Sequence, residues 1–136
     1  MAVQTRLKRI IISELTENQV IYLREVDGER EFPILIGIFE ATNIDRRVGE
    51  GFEAPRPLTH DLIVNVAEAF NTQVDHVLIS HYDSGTYYAK LMLKAADGSF
   101  TEIDARPSDA IAVAVTFSPA LPILVEDDVF DAALSN

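Results

Sequence analysis

At 136 residues with no cysteine, the chain is long enough to form one domain with its own core, and it excludes disulfides, thiolate nucleophiles and Cys-ligated metal centres. Hydrophobic residues make up 48% and Gly and Pro number six each, a composition that excludes a disordered or collagen-like chain. The formal net charge of -11 is uneven, with eight cations against ten acids in residues 1–56 and three against twelve in residues 57–136, so the surface repels nucleic acid at long range.

The segment from Met1 to Arg9 holds Arg6, Lys8 and Arg9 but no apolar leader, and the longest apolar runs, such as Ala110 to Val115, are far shorter than a membrane span. A soluble, cytoplasmic protein with no membrane association is expected. Val3 to Glu14 alternates through Val3, Thr5, Leu7 and Ile11 as a first strand, and Val20 to Val26 reads as a second. Asp27-Gly28 then turns the chain into a third strand, Glu31 to Ile36, where Pro33 signals an edge or a bulge. A helix follows over Gly37 to Val48, with Ile38, Ala41 and Ile44 inside, and Gly49 to Pro57 is a loop.

A second helix runs from Thr59 to about Asn71, with Leu62, Ile63, Val66 and Phe70 as its apolar face at 3.6 spacing. Val74 to Tyr82 and Thr86 to Lys94 form a hairpin around Asp83-Ser84-Gly85, with Tyr87, Ala89, Leu91 and Leu93 on one face and Tyr88, Lys90, Met92 and Lys94 on the other. Asp97-Gly98 leads into Phe100 to Ala105, and Pro107 to Phe117 is a helix apolar nearly all round. Such a helix must be covered by a sheet, another helix or a partner subunit. A short strand, Ile123 to Glu126, precedes the acidic end 127–136, a weak helix or mobile tail.

Strand, Asp-Gly, strand and helix occur at residues 20–48 and again at 86–117, a pseudo-repeat. Hairpins outnumber crossovers. The expected fold is a single α+β domain with a mainly antiparallel sheet built from hairpins and helices packed on it.

Two helix starts share a pattern: Arg56-Pro57-Leu58-Thr59-His60-Asp61 and Arg106-Pro107-Ser108-Asp109. Proline pre-sets the first helical dihedral, a hydroxyl caps free N–H groups, and an aspartate in the first turn meets the positive helix end. Each segment also gathers groups able to act on phosphate. RPLTHDL (56–62) and IDARPSDAIAVAV (103–115), with LREVDGEREFPILIG (23–37), FEATNI (39–44) and GTYYAKL (85–91), resemble the bifunctional nuclease domain family. The resemblance spans residues 20–126 and implies an α+β fold and a nuclease activity of the kind that plant members direct at both DNA and RNA. It brings no fixed catalytic set. The matching positions are Arg56, Thr59, His60, Asp61, Asp104, Arg106, Ser108 and Asp109, with Glu40. The chain departs from the family pattern in the longer Gly49–Ala54 loop, in Asp83-Ser84-Gly85 and in its acidic tail.

Phosphodiester hydrolysis needs an activated water, charge stabilisation at phosphorus and help for the leaving oxygen. His60, Asp61 and Asp109 are the candidate catalytic groups, and Arg56 and Arg106 the phosphate clamp. Asp61, Asp104 and Glu68 are the candidate ligands for Mg or Mn, provided the two Arg-Pro segments meet in space. DNA or RNA is the substrate this implies. Beside it stands a structural reading, in which the aspartates serve their helices and pair with the arginines. In that reading the chain is a non-catalytic homo-oligomer whose apolar last long helix sits near a subunit contact. His76 and His81, at odd spacing on one strand, are expected on opposite faces and without function. Glu50 and Glu53 are expected to offset Arg46-Arg47.

Overall fold

The computed structural model describes residues 1–13, 15, 18–49 and 51–135; Glu14, the expected end of the first strand, and Glu50 lie outside them. The elements are β1 (Ala2–Ile11), β2 (Asn18–Glu25), β3 (Glu31–Gly37), α1 (Ile38–Val48), α2 (Thr59–Ala69), β4 (Thr72–Asp83), β5 (Thr86–Ala95), β6 (Phe100–Ala105), α3 (Pro107–Ala114), β7 (Ile123–Glu126) and α4 (Asp127–Leu134). None of the described helices is long and apolar enough to cross a membrane.

All seven strands join one sheet in the order β3-β2-β1-β7-β4-β5-β6. Every pairing is antiparallel except β4 with β7. The order shows what the pseudo-repeat becomes. Two antiparallel meanders, β1-β2-β3 and β4-β5-β6, each end in an edge strand followed by a helix, and β7 joins them by pairing with β1 on one side and β4 on the other. Pro33 lies on the β3 edge, where its missing N–H deprives no partner strand. Gly98, at φ 88°, makes the turn into β6 that a side chain would strain.

Period-2 alternation puts Ile21 and Leu23 of β2, Phe32, Ile34 and Ile36 of β3, Val77 and Ile79 of β4, and Ala89 and Leu91 of β5 into one core. The sheet is curled enough for its two halves to touch. Phe32 of β3 stacks on Tyr87 of β5 at 5.4 Å and meets Phe130 of α4 edge-on at 5.1 Å. The Tyr87 hydroxyl donates to the Pro33 carbonyl at 3.4 Å.

Helix α3 is the most buried element, covered by β4, β5, α1 and α2. Its alanines permit that close approach. The chain's own layers thus cover it. Helix α2 departs from expectation more sharply. Val64 and Ala67 face the core, while Leu62, Val66 and Phe70 are 57, 51 and 77% exposed and Ile63 is at the border of exposure.

Two bulges in β4, between Val74 and His76 and between Ile79 and His81, change another expectation. His76 pairs with Met92 and His81 with Tyr88, both on the outer face of β5, so the two histidines share one face of the sheet. Three residues of β5 lie between their partners, and each ring meets an aromatic neighbour, Phe100 for His76 and Tyr88 for His81.

Candidate functional site at the starts of α2 and α3

The two Arg-Pro segments do meet. Chain sterics place Leu58 and Arg106 as the last extended residues before α2 and α3, with Thr59 and Pro107 as the first helical ones. Neither hydroxyl caps its helix, contrary to expectation: Thr59 and Ser108 already lie within the first turn, and neither N-cap residue makes a side-chain cap bond. The aspartates at the third position take different tasks. Asp61 Oδ2 accepts the Leu58 N–H at 2.8 Å and pairs with Arg47 Nη2 from the end of α1. Asp109 turns instead to Arg106, which donates from Nε at 2.9 Å and from Nη2 at 3.1 Å in a bidentate pair.

His60 links the two helices. Its Nδ1 is held by the Asn43 side-chain amide at 2.7 Å, and its Nε2 faces Asp109 Oδ1 at 3.8 Å. Arg106 also reaches Glu40 Oε1 through Nη1 at 3.4 Å. The result is a line of polar groups, Asn43–His60–Asp109–Arg106–Glu40, drawn from α1, α2 and α3. His60 is mostly enclosed, and the Arg106 side chain remains 65% exposed. Asp109 first, and Glu40 to a smaller extent, hold the Arg106 guanidinium still more firmly protonated.

The other candidates divide by place. Arg56 and Asp61 line a shallow hollow beside Arg47 and Phe52. Burial alone would push the Asp61 carboxyl up, but the hydrogen bonds from Arg47 and from the Leu58 N–H outweigh it and bring it below the usual carboxylate range. Arg46 and Arg47 both stand over the Phe52 ring, at 5.4 and 5.3 Å, and Arg47 is met by Asp61. Glu68 is two turns along α2 from Asp61, about 10 Å at 1.5 Å per residue, and lines a different hollow with Lys94. Asp104 is exposed on β6, opposite Lys90. Among the described residues no three His, Asp or Glu side chains are placed to hold a metal ion. The carboxylates nearest Arg106 are both engaged by it, so the donors present do not form a ready metal site.

Sequence reasoning passed over Asn43 as a functional residue and Glu40 as a partner of Arg106. The available signal was their i, i+3 spacing on α1, which turns both toward one side of the helix.

The sequence matches the bifunctional nuclease domain over residues 20–136. Two uncharacterized proteins from two strains of Mycobacterium tuberculosis are each 36% identical to it over 130 residues, covering 96% of this chain and 75% of theirs.

Proposed function

Since the chain belongs to the bifunctional nuclease domain family, we propose that it is a phosphodiester hydrolase acting on DNA or RNA, with its centre at His60, Asp109 and Arg106. The observation that carries this reading is the convergence of the two Arg-Pro helix starts, which brings an imidazole, a carboxylate and an exposed guanidinium together. Arg106 binds the phosphate and stabilises the charge that develops on it. The 3.8 Å gap between His60 Nε2 and Asp109 Oδ1 suits one water hydrogen-bonded to both. In the reaction, His60 Nε2–H orients the water, the water oxygen bonds to phosphorus, its proton passes to the Asp109 carboxylate, and the P–O bond to the leaving oxygen breaks, that oxygen taking a proton from solvent. Asn43 keeps the ring in place by donating from Nδ2 to Nδ1, which leaves the ring proton on Nε2, where it donates to the water. Arg56 extends the phosphate contacts, and Asp61 holds the start of α2 that carries His60.

Purified chain incubated with plasmid DNA and with RNA, with and without Mg or Mn, tests this. His60→Gln and Arg106→Ala are each expected to lower the cleavage rate by more than about tenfold, or 1.4 kcal/mol of barrier. Cleavage that survives both substitutions would remove this centre. Absence of cleavage in every condition would remove the nuclease reading.

A second reading has its own observation. The apolar stripe Leu62, Ile63, Val66 and Phe70 faces outward on α2, which suits a self-associating protein with structural polar clusters. Two copies joined through this stripe would form an isologous contact.

A further inference from the structure

A cleft of about 560 Å³, lined by Arg106 but not by His60, opens between the free edge of β3, the β4–β5 hairpin and the starts of α1 and α3. Its volume lies within the usual range for small-molecule sites. Four donors lie at its α3 end. The Ser108 and Asp109 N–H groups have no intrahelical acceptor, and no side chain caps them. Arg106 adds its guanidinium. The fourth is the Ser108 hydroxyl: the residue is 6% exposed, lines the cleft, and its Oγ has no hydrogen-bond partner among the described residues. The residue is buried while its hydroxyl opens onto the cavity, where it can donate to a bound oxygen. Donors from several directions suit a tetrahedral oxyanion better than a planar carboxylate.

At the other end, Tyr82 and Tyr87 present adjoining rings 4.6 Å apart. Tyr87 is fixed by Phe32 on its face and by its hydrogen bond to Pro33. That is a rigid aromatic wall suited to a planar base. One arginine in a chain of net charge -11 matches a ligand with a single phosphate better than a long polyanion. Glu40 now occupies the outer Arg106 nitrogen, but its 3.4 Å contact is the longest that Arg106 makes here. The Glu40 carboxylate lies against Gly37, where a Cβ would come within 2.7 Å of Oε2, so the absence of a side chain there is what lets it reach Arg106.

We infer that this cleft binds a nucleoside monophosphate, with the phosphate on Ser108, the first-turn N–H groups of α3 and Arg106, and the base against Tyr82 and Tyr87. The inference deepens the nuclease reading by giving the Arg106 side a product-sized ligand, although binding here requires no cleavage.

An amide NMR titration of the intact chain with adenosine 5′-monophosphate, adenosine and inorganic phosphate is the test. The nucleotide is expected to shift the Ser108 and Asp109 amides saturably, phosphate to shift the same amides more weakly, and adenosine to leave them in place. Ser108→Ala, checked for an unchanged spectrum, should weaken nucleotide binding by about fivefold, the effect of one lost hydrogen bond. No saturable shift at these amides in the wild-type chain, shifts confined to the Arg56 hollow, or equal affinity in Ser108→Ala would each overturn the inference. Nuclease activity without nucleotide binding at the cleft removes this site alone, and binding without activity removes only the nuclease reading.

Discussion

Asp61 and Asp109 occupy the same place in two matching motifs, yet one serves its helix and the other serves a neighbouring arginine. The difference comes from what α1 offers each of them: Arg47 lies against Asp61, whereas Glu40 faces Arg106. Replacing Asp61 with Ala removes the bond to the Leu58 N–H and leaves Arg47 unpaired, and should cost about 1–2 kcal/mol by urea denaturation at pH 7. The pH dependence has a definite sign. The Asp61 carboxyl titrates below its usual range in the folded chain, so its contribution is present above the unfolded value near about 4 and is lost as pH falls through the lower folded value. The gap between wild type and Asp61→Ala should therefore narrow at pH 3, and a gap equal at both pH values would contradict this role. The same variant separates support from chemistry, since a supporting Asp61 leaves the cleavage rate per folded molecule within about tenfold of wild type. The Arg-Pro starts, His60 and Arg106 were legible because helix starts have local signatures. Their meeting through Asn43 and Glu40 was not, because it depends on how α1 lies across two other helices.

At the level of elements, local pattern located every strand and helix to within a few residues, but it did not orient them all. The periodicity of α2 marks an apolar face without stating what covers it. In the fold the smaller pair Val64 and Ala67 makes the inward contact, and the larger residues face out. In β4 the two bulges were invisible to simple alternation, and they moved His76 and His81 to a common face. The exposed α2 stripe carries a prediction of its own. Size-exclusion chromatography with light scattering should give an assembly larger than the 15.1 kDa chain, and Leu62→Glu with Phe70→Glu should return it to the monomer without changing its circular dichroism. These positions face solvent within the single chain, so the charges disturb association and not the core. A wild-type monomer at all concentrations would end the self-association reading.

For the whole molecule, the sheet order could not be read from neighbouring segments, because β7 pairs with β1 from the opposite end of the chain and lies parallel to β4. Those long-range pairings join the two meanders, and the curl they produce brings Phe32, Tyr87 and Phe130 together. Phe32 is fully buried there, and Phe32→Ala should cost about 3–5 kcal/mol in denaturant unfolding, since it empties the contact between the halves. Tyr87 supplies a second, pH-dependent measure of the same closure. Burial first, and the neighbouring Tyr82 to a smaller extent, push its hydroxyl up to about 12. In the unfolded chain the hydroxyl ionises near about 10, so between the two values the unfolded state releases its proton first and folding loses stability as pH rises. Tyr87→Phe keeps the ring against Phe32 and removes the ionisable group. It should therefore match wild type closely at pH 8, apart from the weak bond to Pro33, and become the more stable protein by pH 11 in thermal unfolding. Parallel decline of the two proteins across that range would mean that Tyr87 is not buried in the seam between β3 and β5.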